Sequence, residues 1–127
     1  MEGRKALASA IDELAGLLAE LGNLVDFKLD EHRAEIVRMR RAVAEQHAEV
    51  HRLAEDTFAG ASELKAYREA HSALRSAMAQ HQAKWSVVSI CPESSEYRSS
   101  VRTIRMANRT FIEWLRVALR AGRDPGA

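Results

Sequence analysis

The sequence contains little that would cross-link the chain or interrupt its helices. Cys91 is the one cysteine among 127 residues, so no disulfide can form within the chain, which is typical of a reducing compartment. The two prolines, Pro92 and Pro125, leave the first 91 residues without a strong helix breaker. Ala, Leu, Glu and Arg, which favour helix, are abundant. The composition therefore predicts an all-α protein.

The sequence also lacks a strong charge imbalance and a long apolar run. The net charge of +1 gives the molecule as a whole no strong preference for nucleic acid or for a membrane. No stretch approaches the ~20 apolar residues of a membrane span, and the first residues show no apolar block with a cleavage site. We therefore expect a cytoplasmic protein without a signal peptide and without a membrane partner.

Motifs that carry chemistry are missing as well. The sequence has no glycine-rich phosphate loop, no nucleophile elbow and no Cys–His pair at a recognisable spacing. The Glu-x-x-His signature of carboxylate-bridged metal bundles does not occur. We therefore predict that the protein is not an enzyme and needs no cofactor.

What the sequence does contain is a regular series of three- and four-residue steps, which we call the seam. Such spacing places residues on one face of a helix that packs against other helices. Shorter series of the same kind run from Leu7 to Leu21 and from Tyr97 to Ala118. The long seam comprises Leu29, His32, Ile36, Met39, Val43, Gln46, Val50, Leu53, Thr57, Gly60, Leu64, Tyr67, His71, Leu74, Met78, His81 and Trp85.

These series predict one domain over residues 1–127, an up-down-up-down four-helix bundle with coiled-coil-like seams. Gly22 and Asn23 tolerate the left-handed conformation that ends a helix, and Pro92 suits the first position of the last helix. We expect helices at about residues 4–21, 24–58, 62–86 and 93–121, followed by a flexible tail over 122–127.

The segment around Gly60 leaves a second architecture open. Gly60 can end one helix, and the Ser62 side chain can cap the next. The seam nevertheless keeps its phase across Gly60, and one glycine inside a helix costs only ~1 kcal/mol. The alternative is therefore a long helical rod over about residues 24–86 that dimerises as a coiled coil.

Three of the polar seam residues are predicted to lie level with one another. If the second and third helices reverse at Gly60 and the last two near residue 90, Gln46, His71 and Asn108 fall in one layer. A buried, hydrogen-bonded layer would fix the register of the helices at some cost in stability. The alternative hypothesis is that the layer binds a ligand or senses pH.

His47, His51 and Glu55 form a weak candidate metal site. They lie four residues apart and share one helix face, which is the spacing that two imidazoles need to reach one ion. One helix supplies too few ligands, so solvated surface histidines are the favoured interpretation.

The stretch from Ala70 to Ala77 is similar to the motif of histidine phosphotransfer domains, with His71 followed by the basic residue Arg75. It differs from that motif by one residue of spacing, and the glycine after the basic position is missing. The resemblance implies that His71 accepts a phosphoryl group, whereas its seam position predicts that a phosphodonor cannot reach it.

Arginines recur beside the seam of the last helix. They are expected to pair with carboxylates such as Glu35, Glu45 and Glu49 of the second helix or of a second subunit. An acidic protein partner is the alternative, and nucleic acid is less favoured because no exposed aromatic residues interleave the stripe. The stripe comprises Arg98, Arg102, Arg105, Arg109, Arg116 and Arg120.

The length of the seam favours a non-enzymatic protein–protein interaction module that forms a homodimer. An adaptor, chaperone-like or signalling-associated role fits this class. Apolar residues beside the seam, namely Val37, Ile112, Trp114 and Val117, widen the apolar surface and predict a further contact. The competing hypotheses are a small-molecule or metal-binding sensor that uses the seam histidines, and a histidine phosphotransfer module.

Overall fold

The computed structural model describes residues 2–27, 33–85 and 95–121, and nearly all of them are helical. No strand occurs within these ranges. Helix α1 packs against α2, and α3 packs against α4, which confirms the predicted all-α helical bundle. The helices are α1 (Glu2–Phe27), α2 (Arg33–Thr57), α3 (Glu63–Lys84) and α4 (Ser95–Ala121).

The chain divides into two compact units, Met1–Gly60 and Ala61–Ala127. Each unit contains one pair of packed helices, α1 with α2 in the first and α3 with α4 in the second. The single domain over residues 1–127 stays a prediction. None of the described helices has an apolar stretch long enough to cross a lipid bilayer.

The core of the first unit follows the predicted seams. Leu7, Ile11 and Leu14 of α1 are fully buried, and they are separated by steps of four and three residues. Burying an aliphatic side chain of this size contributes about 1.5–3 kcal/mol, so this face accounts for much of the pairing of α1 with α2. The buried residues of α2 are Ile36, Val43, Val50 and Ala54.

Helix α1 is longer than predicted. It continues through Gly22 and Asn23, where we expected a turn, and ends at Phe27. The described part of α2 runs from Arg33. The predicted turn between the first two helices at Gly22 and Asn23 is therefore wrong, although the number of helices is right.

The reason for the longer helix lies in the backbone and in burial. Gly60 is the one described residue with a positive φ, so neither Gly22 nor Asn23 takes the left-handed conformation that a cap requires. A glycine inside a helix costs ~1 kcal/mol. Leu24 and Val25 are half-buried beyond it, and burying their apolar surface offsets that cost.

The series of seam residues is interrupted at Gly60. This glycine lies in the turn after α2 and has a φ of 74°. The Phe58 N–H still donates to the Ala54 carbonyl at 2.9 Å, and this last helical bond precedes the turn. Glycine adopts this conformation readily, whereas a residue with a Cβ pays about 1–2 kcal/mol. The continuous rod over residues 24–86 is therefore wrong.

Ser62 precedes α3 as predicted, but its side chain does not cap the helix. Its backbone is helical, with φ −64° and ψ −24°, and its Oγ donates to Glu63 Oε1 at 3.0 Å. A capping side chain needs an extended backbone to reach the free amides of the first turn. The capping part of the prediction is therefore wrong.

The second unit matches the expected helix bounds closely. Helix α3 closes at Trp85, whose N–H donates to the His81 carbonyl at 2.8 Å. Helix α4 ends at Ala121, as predicted. The expected helix start at Pro92, the seam residue His32 and the tail over 122–127 lie outside the described residues. The buried side chains of this unit include Tyr67, Leu74, Tyr97, Phe111 and Leu115.

Candidate functional site

His71 lies in a cluster of aromatic rings between α3 and α4. Its ring is stacked on that of Tyr67, with centroids 5.8 Å apart and an interplanar angle of 18°. The Phe111 ring lies 6.0 Å from His71, and the Trp114 ring lies 6.0 Å from Tyr67. Tyr67 and Phe111 are buried and His71 is half-buried. The cluster therefore packs the imidazole against the Tyr67 and Phe111 rings while part of it stays exposed.

The contacts of this cluster establish how α3 and α4 are aligned. His71 faces Phe111, His81 faces Ser100 and Trp85 faces Tyr97, so the two helices are antiparallel. We predicted this antiparallel order of the last two helices. The expected level of Asn108 with His71 stays a prediction.

The three residues of the predicted polar layer have different observed partners. Gln46 Nε2 donates to the Ala10 carbonyl of α1 at 3.0 Å. Asn108 is buried, and its Nδ2 donates to the Ile104 carbonyl of its own helix at 3.1 Å. Gln46 belongs to the first unit, and His71 and Asn108 belong to the second. A layer common to all three stays a prediction.

A histidine–serine pair that we did not predict joins α3 to α4. His81 Nδ1 lies 2.7 Å from Ser100 Oγ, and the Tyr97 ring lies 6.3 Å from the imidazole. Nearby, Lys84 Nζ and Glu96 Oε2 are 3.3 Å apart, and both side chains are largely exposed. The antiparallel alignment could have identified this pair, since it places His81 opposite residue 99. The groove beside it has a volume of about 530 Å³ and is open to solvent.

The weak metal candidates lie on one flank of α2. His47, His51 and Glu55 are all half-buried, as expected for one helix face beside the seam. Among the residues that the structure describes, no group of three or more His, Cys, Asp or Glu side chains is arranged to hold a metal ion.

The arginine stripe of α4 is largely exposed. Arg98, Arg102, Arg105, Arg109 and Arg120 are exposed, and Arg116 is half-buried. Because helical positions repeat every 3.6 residues, Arg102, Arg109 and Arg120 lie on one line along the outward face of α4. The exposed Glu113 lies on the same face, which therefore carries three arginines and one glutamate.

Two large apolar side chains lie on the same outward face. Met106 is 64% exposed and Val117 is 54% exposed. We expected Val117, but we missed Met106 because it does not adjoin the seam. Ile112 is buried, so its predicted role in a further contact is wrong, and Trp114 is half-buried against Tyr67. The buried face of α4 is wider than the seam alone, and it includes Ile112 but not Val117.

One carboxylate that was expected to pair with the stripe has a partner on its own helix. Glu49 Oε1 accepts from Arg52 Nε at 2.7 Å, and Oε2 accepts from Arg52 Nη2 at 3.1 Å. This two-point hydrogen bond from Arg52, together with its charge, lowers the pKa of Glu49 and raises the pKa of Arg52. Both side chains are exposed, so the pair is a surface feature of α2.

Comparison with protein-family models, with curated proteins and with solved structures found no match to this chain. Its function must therefore be inferred from the described surfaces. These offer an imidazole packed among aromatic rings, an open interhelical groove and a face with arginines and exposed apolar side chains.

Proposed function

We propose that the protein is a non-enzymatic protein–protein interaction module of the cytoplasm that self-associates as a homodimer. An adaptor, chaperone-like or signalling-associated role belongs to the same proposal. The observation that carries it is the outward face of α4, where Met106 and Val117 are exposed among arginines.

The composition of this face is that of a binding surface. Exposed Met and Arg side chains are enriched at protein interfaces, where the apolar parts are buried and the guanidinium groups bind carboxylates. Met106 and Val117 lie eleven residues apart, which is about 16 Å along a helix at ~1.5 Å per residue. Arg102, Arg109 and Arg120 lie around them. The face can therefore bind the length of another helix.

Light scattering on the purified chain at micromolar concentration tests the homodimer directly. We expect twice the chain mass of 14.2 kDa. A chain that stays monomeric at this concentration would remove the homodimer. Stoichiometric iron or zinc in elemental analysis would contradict the interaction module and favour a metal-binding sensor.

A second candidate, histidine phosphotransfer, is favoured by one observation. His71 is not sealed in the interface but lines an open groove of about 350 Å³ with Ser72, Arg75 and Ser76. A basic residue one turn from an accessible imidazole can hold a phosphate beside it. Our expectation that no phosphodonor can reach His71 stays a prediction, which the labelling experiment below tests.

The phosphotransfer candidate has a simple chemical test. Incubation with a histidine kinase and labelled ATP should give an acid-labile, base-stable phosphate if His71 is the acceptor. The label should disappear in His71→Gln and remain in His51→Gln, which serves as the matched control. Absence of label in the wild-type chain, or its persistence in His71→Gln, would exclude this role for His71.

A further inference from the structure

An acidic stripe on α1 complements the basic stripe on α4. Glu2, Glu13 and Glu20 are exposed, and they are separated by eleven and then seven residues. At 100° per residue these separations return to nearly the same angle, so the three carboxylates form one narrow line along the helix. The line is about 27 Å long at ~1.5 Å per residue.

The arginines of α4 have the same separations in reverse order. Arg102 and Arg109 are seven residues apart, and Arg109 and Arg120 are eleven apart. All three are exposed. In an antiparallel alignment of α1 with α4, every arginine therefore meets one glutamate. The pairs are Glu20 with Arg102, Glu13 with Arg109, and Glu2 with Arg120.

Two apolar side chains of α4 flank the arginine line. Met106 precedes Arg109 by three residues and Val117 precedes Arg120 by three, so both lie on the same side of that line. They are 64% and 54% exposed, so a helix that packs on the line also buries part of this apolar surface.

We propose that α4 of one copy binds α1 of a second copy, antiparallel, through these two stripes. The proposal rests on the self-association proposed above and names the surfaces that carry it. Both stripes are exposed in the folded chain, so each is accessible to another molecule. Each copy supplies one acidic and one basic stripe, so the same two surfaces are present on both molecules.

Charge reversal with complementation tests the pairing. Glu13→Arg with Glu20→Arg makes both stripes of a chain basic, whereas Arg102→Glu with Arg109→Glu makes both stripes acidic. Each double variant alone should dissociate at least about tenfold more readily, because like charges then face one another. Mixing the two variants should restore association in a 1:1 complex, since every contact again joins opposite charges.

Matched controls separate this contact from a general effect of charge. Glu45→Arg with Asp56→Arg and Arg38→Glu with Arg41→Glu make the same changes at exposed positions of α2. They should leave the dissociation constant unchanged within about twofold. Circular dichroism at 222 nm of every variant checks that the helices persist. Association of the wild type should also weaken as ionic strength rises, because exposed charges are screened beyond ~8 Å at 0.15 M.

The outcomes distinguish the two proposals. A wild-type dimer that both double variants leave intact, or a mixture that fails to associate, would overturn the α1–α4 pairing while leaving self-association standing. A wild-type chain that is monomeric would refute self-association itself. If such a monomeric wild-type chain binds an acidic protein and the variant Arg102→Glu with Arg109→Glu does not, the basic stripe binds a different partner. That result would also overturn the pairing with a second copy.

Discussion

Replacing Gln46 by glutamate tests whether the bond from α2 to α1 sets their alignment. Gln46 Nε2 donates to the Ala10 carbonyl at 3.0 Å from a half-buried position. Glutamate has the same shape, so Gln46→Glu changes the chemistry and leaves the packing in place. At neutral pH a carboxylate has no proton to donate, and it faces a carbonyl oxygen that repels it.

The expected loss of unfolding free energy at pH 7 is about 2 kcal/mol, from the lost hydrogen bond and the poorly solvated charge. The effect should depend on pH in a defined direction. The carbonyl disfavours the charged form, so the folded pKa of the introduced carboxyl lies above the unfolded value of about 4.3. Stability is therefore retained below the unfolded pKa and lost as pH rises through the folded pKa.

Urea unfolding followed at 222 nm, at pH 3.5 and pH 7 for wild type and variant, measures both parts of this prediction. Gln82→Glu at an exposed position of α3 is the matched control and should change stability by less than about 0.5 kcal/mol at either pH. Equal loss in Gln46→Glu at both pH values, or no loss at pH 7, would show that the Gln46 bond does not hold α1 and α2 in register.

Three further changes have definite expected results. Tyr67→Ala removes a fully buried ring from the aromatic cluster and should cost about 3–5 kcal/mol in urea unfolding, whereas Met106→Ser at an exposed site should change stability little. Gly60→Ala should lower the unfolding free energy by about 1–2 kcal/mol because its φ is 74°, and Gly60→Asn should lower it less; equal losses would contradict the conformational explanation. Arg52→Ala should raise the pKa of Glu49, because it removes the hydrogen bond and the positive charge that favour the ionised carboxylate. An NMR titration of Glu49 in the wild type and in the variant measures this change.

The helical class and the buried faces were readable from the sequence alone. The described seam residues from Ile36 to Trp85 are buried or half-buried except at Gly60, where the chain turns. The antiparallel order of α3 and α4 was also predictable, because Pro92 and the loss of charged residues before it predict a break between two helical patterns. Regular spacing suffices for these features because burial of apolar surface depends on which residues share a helix face.

Some residues, such as glycine, can either continue a helix or end it, and the tertiary structure decided which conformation each one adopts. Gly22 and Gly60 are the same residue type beside similar seams, yet Gly22 continues a helix, whereas Gly60 adopts a φ of 74° in the turn after one. The partners of polar side chains were decided in the same way. Gln46 bonds to Ala10, and His81 to Ser100, because the packing of a particular neighbouring helix brings those atoms within reach. The local sequence determines which face of a helix is apolar. Only packing against another helix determines which residues that face contacts.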